Sequence, residues 1–550
     1  MENLVEVRDL KVEATTDSGR RVEIIRGVSL NIAPGEIVAL IGESGSGKTT
    51  IALTLMGYAR AGCRISGGNV RIAGKDMVTL SERDCAAIRG TEVAYVPQSA
   101  AAAFNPAKRI IDQVIEVTRI HGLMPADAAR QKAVELFRAL SLPNPENIGG
   151  RYPHQVSGGQ LQRLSAAMAL IGDPKLVIFD EPTTALDVTT QIEVLRAFKS
   201  VMKKGGISGV YVSHDLAVVA QIADRIVVLR NGEMQEMGTT ADILTRAQHP
   251  YTRELLAAYE PKPRGDETVV EDSEVLLEVC CLSAGYGPIQ ADGLPLIRAV
   301  QEVSLTVEKG RNLGIIGESG CGKSTLARAI AGILPASSGT IIFEKRELAA
   351  AVRQRSRDQL RQMQIVFQYA DTALNPEKSI QEILGRPLTF YHGMRGKQRE
   401  ARVGQLLDMV HLPKSLRHRR PQELSGGQKQ RVNFARALAA EPKLIICDEV
   451  TSALDTVVAA AVIDLLKELQ RELSLSYIFI SHDLSVVEAI CDEIVVMYGG
   501  RKVEQITPAQ MKIPQHPYAK LLFSSVPKLD PGWLDALELD PELVRTYGQN

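Results

Sequence analysis

The residues best suited to chemistry lie in a glycine-rich loop that ends in a lysine and a hydroxyl residue, Gly42-Glu-Ser-Gly-Ser-Gly-Lys-Thr49. Glycines let the backbone turn its N–H groups toward a phosphate chain, the lysine adds positive charge, and the threonine hydroxyl can bind Mg²⁺. The loop therefore predicts a nucleoside triphosphate site around Lys48. A surface turn with an incidental lysine is the alternative, but the apolar strand predicted at 36–41 and the helix predicted from Lys48 argue against it.

Two carboxylates, a histidine and a glutamine follow other apolar runs. Asp180 and Glu181 come directly after Leu176-Val-Ile-Phe179. A carboxylate at the end of a strand can hold Mg²⁺ through water, and its neighbour can polarise an attacking water. We interpret His214 as a contact to the γ-phosphate and water, and Gln98 as a residue near Mg²⁺ at a hinge. An acidic turn, a structural histidine and a polar surface glutamine are the alternatives.

Each of these segments occurs a second time, in the same order, which makes a chance match implausible. The second copies are the loop Gly317–Ser324, Gln368, the pair Asp448 and Glu449, and His482, while a Ser-Gly-Gly-Gln tetrapeptide occurs at Ser157 and again at Ser425. The two lysines are 275 residues apart (323 − 48) and the two histidines 268 (482 − 214), so the halves differ in length only slightly.

The repeat divides the chain of 550 residues, which is too long for one ordinary core, into two similar domains. We predict a first domain at 1–258, a linker at 259–274, a second domain at 275–527 and a C-terminal tail at 528–550. Prolines, a glycine and charged residues mark the linker. Short apolar strands that alternate with helices predict an α/β core, and the helix formers between 98 and 157 predict a helical insertion.

Composition excludes several classes of protein. The 64 basic and 65 acidic residues give a net charge of -1, so no overall basic field exists to hold nucleic acid. The seven cysteines form no CxxC pair, which argues against zinc and favours reduced thiols in a cytosol. The acidic start lacks the apolar core of a signal peptide, and no apolar run of about 18 residues occurs. We therefore expect contact with a membrane only through partners.

Taken together, these segments resemble the ATP-binding cassette (ABC) family, whose signature sequence is similar to the two Ser-Gly-Gly-Gln tetrapeptides. The resemblance extends from about Glu6 to about Pro527 and implies two tandem P-loop NTPase domains, each with a RecA-like core, an antiparallel β subdomain and a helical subdomain. It implies ATP hydrolysis, with Glu181, His214, Glu449 and His482 as the catalytic residues. The implied Mg²⁺-binding residues are Thr49, Gln98, Asp180, Ser324, Gln368 and Asp448. The implied ATP-binding residues are Gly42, Ser44, Gly45, Gly47, Lys48, Thr49, Thr50, Gln98, Ser157, Gly158, Gly159, Gln160, Gly317, Ser319, Gly320, Gly322, Lys323, Ser324, Thr325, Gln368, Ser425, Gly426, Gly427 and Gln428.

The family resemblance also implies how the halves cooperate. Two cassettes pair head to tail, here within one chain, and each ATP lies between one lysine loop and the opposite signature. The helix N-terminus at 425–428 would cap the γ-phosphate held by Lys48, and that at 157–160 would cap the one held by Lys323. ATP binding then closes the pair and hydrolysis releases it. Nothing in the sequence indicates that either site is inactive, since both halves keep the glutamate. The relative rates of hydrolysis at the two sites do not follow from the sequence.

A narrower resemblance points to the peptide and nickel importer branch of the family. The segments Tyr95-Val-Pro-Gln98 with Phe104-Asn-Pro106, and the two Gln-His-Pro-Tyr segments at 248–251 and 515–518, are typical of it. The implied partners are two integral-membrane permease subunits and an extracytoplasmic substrate-binding protein, and the implied location is the cytoplasmic face of the inner membrane. Residues after Gln98 and Gln368 would receive the permease coupling helices.

Some features depart from the family pattern or leave alternatives open. Val450 stands where the first half has Pro182, and Tyr286 could stack on adenine in the second half, whereas the first half has no clear aromatic residue for this role. A soluble tandem-cassette ATPase that acts on ribosomes or DNA is the alternative from another class. The short linker, the balanced charge and the missing CxxC argue against it. An exporter ATPase also remains open, since the permease sets direction and chooses the solute.

Overall fold

The structure is a computed structural model that describes residues 3–15, 19–184, 186–259, 274–452 and 454–547. The chain forms two compact units, of which the first comprises residues 1–257 together with 525–550 and the second comprises 258–524. Most of the expected linker, residues 260–273, lies outside the described residues. The expected tail at 528–550 falls within the first unit.

The first unit combines two sheets with surrounding helices. Its strands are β1 (Val5–Thr15), β2 (Arg21–Ile32), β3 (Ile37–Ile41), β4 (Cys63–Ile72), β5 (Lys75–Asp76), β6 (Val93–Val96), β7 (Leu176–Asp180), β8 (Ser208–Val212), β9 (Arg225–Arg230) and β10 (Glu233–Thr239). Its helices up to the linker are α1 (Lys48–Thr54), α2 (Glu82–Ile88), α3 (Ala100–Ala103), α4 (Ile110–Val114), α5 (Glu116–Ile120), α6 (Ala126–Ala139), α7 (Pro145–Ile148), α8 (Gly158–Leu170), α9 (Val188–Gly205), α10 (Leu216–Ile222), α11 (Thr240–Arg246) and α12 (Pro250–Tyr259), with a 3₁₀ turn at Pro153–Gln155.

The main sheet of the first unit has the strand order β10-β9-β3-β8-β7-β6. Its strands are parallel except for β10, which runs antiparallel to β9. Every residue of β3, β7 and β8 is buried, as expected of parallel strands that are covered by helices on both faces. An antiparallel sheet, β2-β1-β4-β5, shares one apolar core with it. The α/β core, the antiparallel subdomain and the helical insertion α3–α7 predicted from the sequence are confirmed.

The second unit repeats this topology. Its strands are β11 (Val275–Ile289), β12 (Pro295–Glu308), β13 (Asn312–Ile316), β14 (Ser338–Phe343), β15 (Arg346–Glu347), β16 (Met363–Val366), β17 (Leu444–Asp448), β18 (Ser476–Ile480), β19 (Glu493–Tyr498) and β20 (Arg501–Ile506). Its helices are α13 (Lys323–Ile330), α14 (Arg357–Gln362), α15 (Ala370–Ala373), α16 (Ile380–His392), α17 (Gly396–Met409), α18 (Gly426–Leu438), α19 (Thr456–Leu473), α20 (Leu484–Ile490) and α21 (Pro517–Ser524), with 3₁₀ turns at Val352–Gln354, Lys414–His418, Pro421–Glu423 and Pro508–Lys512. The sheet orders are β16-β17-β18-β13-β19-β20 and β12-β11-β14-β15.

The last part of the chain forms two short helices in the first unit, α22 (Trp533–Ala536) and α23 (Pro541–Tyr547). Leu534 is buried and Lys199 of α9 forms an ion pair with Asp535 at 2.8 Å. The region expected to be a tail is therefore packed structure along the part that is described.

Parallel strands place the predicted site residues together in each unit, because their carboxyl ends meet at one edge of the sheet. In the first unit, β3 leads into the glycine loop, β6 into Gln98, β7 into Asp180 and Glu181, and β8 into His214. Within the described residues, no helix is both long and apolar enough to cross a lipid bilayer.

Candidate nucleotide sites

The glycine loop of the first unit adopts a conformation that requires glycine at two positions. Gly42 has φ 146° and Gly47 has φ 99°. A Cβ on Gly42 would lie 2.0 Å from the carbonyl oxygen of Leu229, and one on Gly47 would lie 2.3 Å from Ile25 Cδ1. A Cβ on Gly45, at the exposed tip of the loop, would have no neighbouring atom within 4 Å. Space at the tip leaves the loop amides open to a ligand.

The lysine of this loop is the first residue of α1 and is buried. Lys48 Nζ donates to the carbonyl oxygens of Gly42 at 2.7 Å and Glu43 at 2.9 Å. The ammonium group is therefore held inside the loop, where it can turn to an incoming phosphate. Ser44 lies at the exposed tip and Thr50 is half-buried on α1.

The second unit reproduces this geometry closely. Gly317 has φ 148° and Gly322 has φ 103°, and Lys323 Nζ donates to the carbonyls of Gly317 and Glu318, both at 2.7 Å. Thr325 shares a hydrogen bond of 3.2 Å with the hydroxyl of Tyr286. The side chain singled out for adenine stacking in this half therefore lies beside the lysine helix. Ser319 and Gly320 form the exposed tip.

A hydroxyl and a carboxylate meet beside each loop. Thr49 Oγ1 donates to Asp180 Oδ1 at 2.9 Å, and Ser324 Oγ donates to Asp448 Oδ1 at 2.8 Å. Burial raises the pKa of Asp448, the hydrogen bond from Ser324 opposes this, and the Glu449 charge adds to the rise. Such oxygen donors suit Mg²⁺, which takes a few protein ligands and completes its shell with phosphates and water. Among the described residues, no cluster of three or more His, Cys, Asp or Glu could hold a metal by itself.

The first site has one contact that the sequence did not predict. Tyr95 Oη donates to Asp180 Oδ2 at 2.7 Å, so both oxygens of this carboxylate accept hydrogen bonds. Burial, reinforced by this hydrogen bond, raises the pKa of Tyr95 well above its usual value. Tyr95 pairs with Ile178 across β6 and β7, and Ile365 pairs with Ile446 in the same way in the second unit. The equivalent residue of the second unit therefore has no hydroxyl.

The carboxylates predicted to be catalytic occupy an unusual backbone conformation. Glu181 has φ 48° and Glu449 has φ 49°, in the left-handed region that non-glycine residues seldom adopt. Their amides donate to the carbonyls of Val212 at 2.9 Å and Ile480 at 3.0 Å, which ties each residue to the adjacent strand. Strain of this kind persists where the surrounding fold imposes it and is common at functional sites.

Three polar side chains hold Glu181 in place, and one of them, Thr184, donates from Oγ1 to Glu181 Oε2 at 3.3 Å. Gln98 Nε2 donates to Glu181 Oε2 at 2.9 Å, and His214 Nδ1 lies 3.4 Å from Oε1. Burial acts to raise the pKa of Glu181, but the hydrogen bond and charge of His214 and the charge of Lys48 outweigh it, so the pKa is lowered. Burial acts to lower the pKa of His214, but Glu181 outweighs this and the pKa is raised. The cluster thus keeps Glu181 ionised, as a base for water must be.

The second cluster is similar but looser. Gln368 Nε2 donates to Glu449 Oε2 at 2.8 Å and to Ser452 Oγ at 3.1 Å, whereas His482 Nδ1 is 4.0 Å from Glu449 Oε2. The His482 side chain is 46% exposed and that of His214 is 31% exposed. Val450, which follows Glu449 and stands where the first half has Pro182, is buried.

Each Ser-Gly-Gly-Gln segment starts a helix of 13 residues, α8 or α18. In both copies the serine hydroxyl accepts from the backbone N–H of the glutamine, at 3.4 Å for Ser157 and 3.3 Å for Ser425. In return, the side-chain oxygen of the glutamine accepts from the backbone N–H of the serine. This capping box fixes where the helix begins. The remaining amides of the first turn, at Gly158 and Gly159 and at Gly426 and Gly427, form a site suited to an anion.

The two glycines of each signature have different surroundings. A Cβ on Gly159 would lie 2.1 Å from Thr190 Cγ2, and one on Gly427 would lie 2.5 Å from Val458 Cγ1. A Cβ on Gly158 would first meet Leu186 Cδ2, at 3.9 Å, which is an ordinary contact. The second glycine is therefore required for packing on α9 or α19, while the fold has room for a side chain at the first.

The signature helix is linked to the carboxylate cluster through the segment before Gln98. Gln162 of α8 donates to the carbonyl oxygen of Pro97 at 3.4 Å. The structure thus brings the lysine loop, the carboxylates, the glutamine and the histidine of each unit together. Tyr95 was not identified from the sequence as a residue of the site. Its position on β6, three residues before Gln98, could have indicated that it lies near Asp180.

Comparison with known proteins agrees with this geometry. The profile described as "ABC transporter" matches residues 25–184 and again 300–452, which is more than half of the chain. The chain belongs to the ABC transporter family. The profile of the ABC branch described as "Oligopeptide/dipeptide transporter, C-terminal region" matches residues 235–276 and 503–548.

Several ABC proteins resemble the chain along almost its whole length. The peptidoglycan transport ATP-binding protein YejF of Agrobacterium fabrum is 38% identical over 532 residues, which is 95% of this chain and 96% of that protein. The glutathione import ATP-binding protein GsiA of Pectobacterium atrosepticum is 36% identical and covers 96% of this chain and 90% of its own length. GsiA of Escherichia coli K12 matches to the same extent. The identification as a fused tandem ABC ATPase of a transporter is confirmed, and so is the expected ABC fold.

Proposed function

We propose that this chain is the ATP-hydrolysing subunit of a membrane importer, and that it couples ATP binding and hydrolysis at two composite sites to uptake of a peptide-like or related small solute. The proposal rests on one observation: each unit contains a buried loop lysine, a hydroxyl–carboxylate pair and a Gln-Glu-His cluster. Relatives named for peptidoglycan transport and glutathione import support the class of solute.

Within each site the residues have separate roles. Lys48 exchanges the carbonyls of Gly42 and Glu43 for the outer phosphates of ATP. Thr49 and Asp180 would hold Mg²⁺, which neutralises charge on the β- and γ-phosphates when bound. Glu181, kept ionised and oriented by its neighbours, accepts a proton from the attacking water.

The histidine and the glutamine position that carboxylate and connect it to the rest of the cassette. His214 contacts one carboxylate oxygen of Glu181, and Gln98 contacts the other. Both side chains would therefore respond to the γ-phosphate beside this cluster. In the second site, Gln368 and His482 have the same roles around Glu449.

The composite nature of each site is proposed from the signature helices. The helix N-terminus at Ser425 would cap the phosphates on Lys48, and that at Ser157 would cap those on Lys323. The space at Gly158 supports this arrangement, because the fold itself does not require glycine there. Binding of two ATP molecules then favours the closed pair, and hydrolysis favours opening.

The partners of the chain are two integral-membrane permease subunits and an extracytoplasmic substrate-binding protein, and the chain works at the cytoplasmic face of the inner membrane. The segment after Gln98 offers a surface for a permease helix, since α3 exposes Ala101 and Ala102 while Phe104 anchors it from below. In the second unit α15 is built in the same way above Leu374, with Tyr369 56% exposed.

Copurification tests this proposal. We expect the tagged chain, isolated from detergent-solubilised membranes of its own organism, to carry two multi-spanning permeases in equal amounts, as measured by mass spectrometry. The matched variant is Ala102→Arg, which adds bulk and charge on α3 without touching the ATP cluster. It should lose the permeases and keep its ATPase activity.

Other outcomes would point elsewhere. Ribosomal or DNA-repair proteins in place of permeases would refute the transport proposal and leave the ATPase. Efflux of the solute from vesicles containing the complex, instead of uptake, would favour an exporter.

A further inference from the structure

The C-terminal segment packs on a specific surface of the first unit. Ser525 is fully buried and Leu534 is 2% exposed, and both belong to this unit together with α22 and α23. The surface beneath consists of α9 and α10, which also pack against each other. We name residues 525–547 the strap.

Gln221 of α10 is the centre of this contact. It is a polar side chain in an otherwise apolar helix, and it is only 1% exposed. Its Nε2 donates to the carbonyl oxygens of Lys528 at 2.7 Å and Asp530 at 3.0 Å, and its Oε1 accepts from the amide of Leu534 at 2.9 Å. A single amide therefore satisfies three backbone groups of the strap, which burial would otherwise leave unpaired.

Two cations of α9 complete the contact. Arg196 donates to the carbonyl oxygens of Leu534, at 3.4 Å, and of Leu537. Lys199 forms its ion pair with Asp535, and the Lys199 side chain is 24% exposed. Most of these hydrogen bonds are made to backbone groups of the strap, so they fix its path along the two helices.

The two helices beneath the strap begin at the loops that carry hydrolysis. Asp187 caps α9 by accepting from the amide of Thr190 at 2.9 Å, directly after the loop that follows Glu181. Asp215 caps α10 by accepting from the amide of Ala217 at 2.9 Å, directly after His214. A contact that holds α9 and α10 together therefore holds the frame on which Glu181 and His214 meet.

The second unit lacks the residues for such a contact. At the offset of 268, Gln221 corresponds to Ala489, and Arg196 corresponds to Asp464, whose carboxylate cannot donate to a backbone carbonyl. Lys199 has a lysine counterpart, Lys467. The strap is thus built for one of the two cassettes.

We propose that the strap is a conformational clamp of the first ATP site, and that Gln221 is a positioning residue that acts on Glu181 and His214 through α9 and α10. Hydrolysis at the first site then depends on a segment that follows the second cassette in the chain, while the second site is free of this control. The catalytic half of the proposal rests on the proposed role of Glu181, whereas the docking half does not.

Amide hydrogen exchange and ATPase kinetics of the full chain test the clamp. The variants are Gln221→Ala, Lys199→Ala and a chain that ends at Pro527, and the matched control is Lys467→Ala, the counterpart of Lys199 in the second unit. We expect exchange in 188–205 and 216–222 to accelerate by about tenfold or more in the Gln221→Ala chain, since three hydrogen bonds are lost. We expect kcat per chain that binds ATP to fall by up to about twofold while KM for ATP is unchanged, because only the first of the two sites is misaligned.

Each outcome decides one half of the proposal. Restored protection on adding a synthetic peptide of residues 528–547 to the shortened chain would confirm docking, and if that chain does not fold, the point variants give the answer. Unchanged exchange in α9 and α10 of Gln221→Ala would overturn the clamp. Faster exchange with unchanged kcat per competent chain would overturn the control of hydrolysis and leave a structural contact. Loss of ATPase in the Lys467→Ala control would show that the effect is not specific to the strap.

Discussion

Substitution of the two signature glycines of the first unit by alanine should separate folding from function. Gly159→Ala places a Cβ 2.1 Å from Thr190 Cγ2, where carbon atoms normally stay about 3.5–4.0 Å apart, so α8 and α9 must separate. Overpacking of this kind costs about 1–3 kcal/mol, and the better helix propensity of alanine returns up to about 1 kcal/mol. The net loss of up to about 3 kcal/mol lowers the Tm of the unit by up to about 12 °C.

Gly158→Ala should behave in the opposite way. Its Cβ meets nothing closer than Leu186 Cδ2 at 3.9 Å, so the Tm should stay the same or rise slightly. The added methyl group lies at the helix N-terminus that we propose caps the γ-phosphate, so ATPase activity should fall by about tenfold or more. Differential scanning calorimetry and steady-state ATPase assays measure the two effects.

A second substitution provides the control. Thr190→Ser removes the methyl group that clashes and keeps the backbone amide that Asp187 caps, so Gly159→Ala/Thr190→Ser should recover the lost Tm. If Gly158→Ala lowers the Tm as much as Gly159→Ala does, or if the serine gives no recovery, this account of the signature is wrong.

Two further predictions concern the first site. Tyr95→Phe removes the hydrogen bond to Asp180 Oδ2, so the affinity for Mn²⁺ in the presence of ADP, measured by electron paramagnetic resonance, should fall by up to about tenfold, with Ile365→Leu in the second unit as the unaffected control. His214→Ala should lower the Tm most between pH 4.5 and 6.5, the ordinary pKa values of Glu and His. In this window the lowered pKa of Glu181 and the raised pKa of His214 both favour the pair. The stabilisation disappears as pH falls through the lowered pKa or rises through the raised one, so a Tm difference that is equal at pH 6 and pH 9 would contradict the ion pair.

Much of each site could be predicted from the sequence because its parts are local motifs at the ends of apolar strands. The order of Lys48, Gln98, Glu181 and His214 along the chain, repeated in the second half, identified the edge of a parallel sheet on which they meet. The signature serine and glutamine, three residues apart, identified a helix start.

Other features depend on packing between distant segments. The bond from Tyr95 to Asp180 requires the two strands to be neighbours in register, which one strand does not reveal. The left-handed backbone of Glu181 is imposed by the adjacent strand through Val212. Gln221 contacts a segment more than 300 residues away, and in the sequence it is one polar residue in an apolar helix. No local sequence pattern predicts such a contact.

The most direct test of the central claim is the number of ATP molecules held by a chain that cannot hydrolyse them. Glu181→Gln combined with Glu449→Gln keeps the size and shape of both side chains and removes both bases. Native mass spectrometry of this variant with Mg²⁺ and ATP should show a single chain that carries two ATP molecules, because we propose that one chain forms both composite sites by itself. A chain that carries one ATP or none, or one that binds two only as a dimer of chains, would contradict the account.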